Sequence, residues 1–127
     1  MNESQKAFAE PEGRRVAEIL ELTDAMFGEQ VFKSKDPILV EFWAPWCKPC
    51  LFLNPVLEEA ARDLAEAVKV VKLNVDENPV AATVYSVRSI PTMILFRQGE
   101  ELEKFVGYLG REDLVGRIRS VLGESEQ

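Results

Sequence analysis

The chain has 127 residues, 46% hydrophobic and 29% charged, which suits one globular domain; no apolar run approaches the roughly 20 residues of a membrane span. A net charge of -7 without a basic block weighs against nucleic acid and anionic membrane as partners. Two cysteines and no histidine leave one chain short of the roughly four Cys or His ligands of structural zinc, and they remove His-assisted nucleophiles, His-ligated catalytic metals and c-type haem attachment.

The start, MNESQKAFAEPEGRR, is polar and partly acidic and lacks the apolar core of about 7–15 residues that an export signal needs, so the expected location is cytoplasmic. Residues 1–15 read as a flexible arm, with Pro11 and Gly13 in it, and residues 16–127 as the domain. VAEILEL is a short strand candidate. Thr23 offers an N-cap to DAMFGEQVFKS, where Met26, Phe27 and Val31 suit a core and Gly28 weakens the helix. PILVEFWA has the near-continuous apolarity of a strand covered on both faces, interrupted by Glu41.

From Cys47 the period changes. Leu53, Val56, Leu57, Ala60, Ala61, Leu64 and Ala65 fall on one helical stripe, with Glu58, Glu59, Arg62 and Asp63 largely opposite. Pro55 inside that stripe removes a backbone donor and predicts a kink. VKVVKLNV is a further strand, DENP a turn, and VAATVYS a short helix. TMILFRQGEELEKFVG reads as two antiparallel strands around a turn at Gln98–Glu100, and Leu114, Val115, Ile118, Val121 and Leu122 as the apolar face of a last helix.

This order predicts an α/β fold: a mixed central sheet of five strands flanked by about four helices. Chemistry in such sheets sits at the C-terminal strand ends, and Cys47 follows directly from one. At Cys-x-x-Cys spacing in a first helical turn, two sulfurs reach bonding distance beside unpaired amide donors that favour a thiolate. Cys47 is expected to be exposed, partly ionised and nucleophilic, and Cys50, a turn inside, shielded and second to react. A static disulfide is the bland alternative, but closing so short a loop constrains the unfolded chain little.

ILVEFWAPWCKPC resembles the active-site strand and motif of the thioredoxin family, and VVKLNVDENPVAATVYSVRSIPTMILFRQGE and FVGYLGREDL match that family in order and spacing, together covering about residues 18–122. The resemblance implies the thioredoxin fold and a protein-disulfide oxidoreductase, mainly a reductase, that uses its own dithiol with no bound cofactor and no metal. It makes Cys47 the attacking thiolate and Cys50 the resolving one. It implies a cis bond before Pro91, with Ser89, Ile90 and Thr92 in a loop whose backbone pairs with an extended substrate segment. Trp46 and Gly107 fall on the same surface. Glu41 stands where the family usually has Asp and would take the proton of Cys50 through a water, with Lys72 as its charge partner; burial would raise its pKa.

Two departures stand out. Lys48-Pro49 replaces the usual Gly-Pro dipeptide, and a cation beside Cys47 would favour its thiolate and make the disulfide more oxidising. Ser89 replaces a common glycine and narrows the docking surface. The partners implied are disulfide-containing proteins and a thioredoxin reductase as electron donor, acting on a monomer. The rival readings are a more oxidising exchanger or isomerase, a thioredoxin-fold binding subunit with secondary thiols, and an intersubunit metal site.

Overall fold

The run expected to be covered on both faces becomes β2 (Ile38–Trp43), and five of its six residues are buried. The computed structural model describes residues 19–123, so the expected arm at residues 1–15 and the start of the first strand candidate lie outside the described residues. Within them β1 is Leu20–Leu22, β3 Lys69–Asn74, β4 Thr92–Arg97 and β5 Glu100–Val106. The order across the sheet is β1-β3-β2-β4-β5. β1, β3 and β2 are parallel, β4 is antiparallel to β2, and β5 is antiparallel to β4.

Among the described residues four α-helices flank the sheet. α1 (Asp24–Phe27) starts at Thr23, whose hydroxyl accepts the Met26 N–H at 3.2 Å. Gly28 is its C-cap, still in right-handed helical geometry. The chain widens there into a π-helical turn, Gly28–Phe32, which seats both Phe27 and Val31 in the core. α2 (Lys48–Asp63) runs unbroken through Pro55. α3 (Pro79–Val84) ends before Ser86, which lies at φ 57°. Its first amides would lack partners, but the Asp24 carboxylate accepts from Val80 and Ala81 at 2.9 Å each. α4 is Arg111–Val121, tied to α2 by Arg111 Nε to Asp63 Oδ2 at 3.1 Å.

Strand alternation splits the core in two. Leu39, Val70, Met93, Leu95 and Phe105 face α2 and α4 on one side. Val40, Phe42, Val71, Ile94 and Phe96 face α1 and α3 on the other. The β4–β5 hairpin turns on two residues, Gln98 (φ 54°) and Gly99 (φ 83°), as a two-residue turn with both φ positive requires. The expected turn is thus one residue shorter, because Glu100 already pairs with Arg97.

Candidate active site

α2 begins where β2 ends, and its N-cap is a cysteine. The Cys47 sulfur accepts the Cys50 N–H at 3.2 Å, the position a Ser or Asp oxygen usually takes. Lys48 and Pro49 fill the next two positions, both exposed. Proline costs nothing there, since its missing N–H is one that the helix would leave unpaired. Cys47 and Cys50 are joined in a disulfide with their Cα atoms 5.3 Å apart.

The expected exposure of Cys47 needs correction. Cys47 keeps only 4% of its surface and Cys50 none, because Ala44, Trp43, Val75 and Ile90 pack around the pair. The asymmetry runs in the expected direction but is small.

The facing loop comes from the start of β4. The Ile90–Pro91 bond is cis, and the Ile90 carbonyl oxygen lies 3.7 Å from the Cys47 sulfur. Gly107 donates its N–H to the Pro91 carbonyl at 2.8 Å and sits at φ 92°, where a side chain would strain the backbone. Ser89 is exposed, and its carbonyl accepts the Thr92 hydroxyl at 2.8 Å. Thr92 itself is 1% exposed, so it braces the loop and offers no surface to a substrate. Among the described residues the Ile90 amide donates to no neighbour.

Trp46 is 67% exposed beside the pair, and its indole N–H donates to Asp76 at 2.9 Å. Asp76, in the DENP turn, was not singled out by its sequence context; only its place just after β3 hints at this role. Val106 and Tyr108 add exposed apolar surface on either side of Gly107.

Glu41 lies on the α2 side of the sheet with no exposed surface, and neither carboxylate oxygen has a hydrogen-bond partner among the described residues. Burial pushes its pKa from 4.5 to about 7; Lys72 pulls the value down and Glu21 adds to the rise. Lys72 is directly across from Glu41 in the β2–β3 register. Its ammonium nevertheless points elsewhere, donating to Asn54 Oδ1 at 3.3 Å and lying 3.9 Å from Glu21. Trp43 packs beneath, its ring 4.2 Å from the Lys72 nitrogen. Glu21 and Asn54 gave no signal in the sequence, since each reaches Lys72 from a different element.

A disulfide at the N-terminus of the helix that follows the central strand of a mixed sheet, faced by the Ile90–Pro91 loop, is the arrangement of the thiol–disulfide oxidoreductases. A family model described as thioredoxin matches residues 18–120. The thioredoxin of Rickettsia bellii is 48% identical over 99 residues, spanning 78% of this chain and 94% of its own length. That of Buchnera aphidicola is 51% identical over 96 residues, 76% of this chain and 89% of its own. Thioredoxin 1 of Synechococcus elongatus is 44% identical over 97 residues, 76% and 91% respectively.

The chain belongs to the thioredoxin family. It has the thioredoxin fold and is a protein-disulfide oxidoreductase whose redox group is part of the protein. These matches favour exchange chemistry over the binding-subunit alternative. Among the described residues no group of three or more His, Cys, Asp or Glu is arranged to hold a metal ion.

Proposed function

We propose that Cys47 is the attacking thiol, Cys50 the resolving thiol, and reduction of protein disulfides the working direction. The Cys47 thiolate attacks one sulfur of a substrate disulfide, forming a mixed disulfide and expelling a substrate thiolate, which takes up a proton. Glu41 removes the proton of Cys50, whose sulfur then attacks Cys47. The second substrate thiol leaves reduced, and the Cys47–Cys50 disulfide remains. Two electrons pass from the dithiol to the substrate in each cycle.

The observation that carries this reading is the Cys50 N–H donated to the Cys47 sulfur at the mouth of α2. In the dithiol form that donor and the helix dipole lower the energy of a thiolate at Cys47 alone. Cys50 has no exposed surface and is left to attack from within. The free Ile90 amide and the exposed Ser89 suit backbone pairing with an extended substrate segment, while Trp46 and Gly107 border it. Main-chain pairing of this kind tolerates many substrates. The electron donor in this reading is a thioredoxin reductase, the compartment the cytoplasm, the active form a monomer, and residues 16–127 suffice for exchange.

The test is dithiothreitol-driven reduction of insulin. Cys47→Ser is expected to reduce the rate to the uncatalysed background, and Cys50→Ser to trap a mixed disulfide through Cys47. Full activity in Cys47→Ser would remove the assigned nucleophile.

A further inference from the structure

Strand pairing sets three charged residues in one row. Glu21 on β1 is opposite Lys72 on β3, and Lys72 is opposite Glu41 on β2. The ammonium therefore stands between a buried carboxyl and one whose side chain is 52% exposed. Coulomb attraction is stronger where water is excluded, so an unrestrained Lys72 would be drawn toward Glu41.

The partners of that ammonium are other groups. Its nitrogen is 3.3 Å from Asn54 Oδ1, 3.9 Å from Glu21 Oε2 and 4.2 Å from the centre of the Trp43 ring. Among the described residues no ion pair joins it to Glu41, whose two oxygens are left without partners.

We infer that Glu21 and Asn54 are positioning residues for the buried acid: from β1 and α2 they hold the Lys72 ammonium against the Trp43 ring and away from Glu41. The inference rests on the reading of Glu41 as proton acceptor for Cys50, and deepens it. A carboxyl paired tightly with an ammonium stays ionised and gains little from a thiol's proton. One kept apart from its cation retains the proton affinity that exchange with a thiol requires. Among the described residues Met93 pairs with Glu41 from β4, and Cys50, Leu53, Val56 and Leu57 are buried side chains of α2. The charged Glu103 of β5 and Arg117 of α4, on the same face, pair with each other at 3.7 Å. Glu77 acts only on Glu21, whose own carboxyl is raised by partial burial and lowered by Lys72.

The experiment titrates Glu41 by carboxyl-carbon NMR in the oxidised full chain, where neither cysteine titrates, with the signal assigned by its loss in Glu41→Gln. Glu21→Gln removes a negative charge and frees the ammonium, and both changes act in one direction. The Glu41 inflection is expected to fall by about half a pH unit, and further when Asn54→Ala is added. An inflection at or above the wild-type pH in Glu21→Gln overturns the inference, and no further fall in the double variant removes Asn54 from it. Glu21 is half exposed, so the single variant stands even where the double one fails to fold. The role of Glu41 is judged apart, by the pH profile of mixed-disulfide resolution in Glu41→Gln. An unmoved profile discards the base assignment, while the titration still decides on Glu21 and Asn54.

Discussion

Glu41 is the residue whose chemistry and stability oppose each other. Its carboxyl titrates near 7 in the fold against 4.5 in an open chain, because water is excluded around it. The folded state therefore binds the proton more tightly between those two values, and stability falls as pH rises through that window. Above pH 7 the full penalty is present, about 3 kcal/mol at roughly 1.4 kcal/mol per pKa unit. Glu41→Gln, which mimics the protonated acid, is expected to match wild type near pH 4 and to be more stable by about that amount at pH 8. Denaturant unfolding of the oxidised protein across this range checks it; parallel curves would mean that Glu41 is not the strained group. Glu41 was legible in the sequence as an acid in an apolar strand. What Lys72 does was not, because strand register gives its neighbour while its long side chain chooses among Glu21, Asn54 and Trp43.

At the scale of elements, the local rules held best where one residue type suits the backbone. Thr23 caps α1, and Gln98-Gly99 makes the hairpin turn. A Cβ on Gly99 would come within 2.9 Å of Phe32 Cδ1, an exposed side-chain end that can move aside, so the positive φ is the larger obstacle. Gly99→Ala is expected to destabilise by about 1–2 kcal/mol, lowering the urea midpoint with an unchanged slope. Gly28 and Pro55 are tolerated within their helical segments for a shared reason. Each weakens an isolated helix, but packing of Phe27 and Val31, and of Leu53, Val56 and Leu57, keeps both helices in place. The β4–β5 register also escaped local reading: the ladder shifts between Leu95 and Phe96, which no alternation pattern announces.

Over the whole molecule, two helix layers share one sheet, and the site belongs to neither layer alone. Phe96, fully buried in β4, meets Phe27 at 5.8 Å and Tyr85 at 5.1 Å between ring centres, on the face of the sheet opposite α2. Phe96→Ala is expected to cost about 3–5 kcal/mol, a large share of the roughly 5–15 kcal/mol of a small domain. Thermal melting would record that loss, while insulin reduction by the protein that remains folded should be unchanged. A matching loss of activity per folded molecule would tie this core to the site.

The amino-acid order alone determined the strands and helices, the family and the identity of the reactive pair. Apolar periodicity, caps and the spacing of two cysteines are properties of neighbours along the chain. Tertiary structure decided what depends on residues far apart. It seats Ile90 against the pair, ties Gly107 to Pro91, and buries Cys47 more deeply than expected. It also turns the Lys72 ammonium toward Glu21 and Asn54. Desolvation and Coulomb forces act through space, so a group's proton affinity is set by what the fold brings near it.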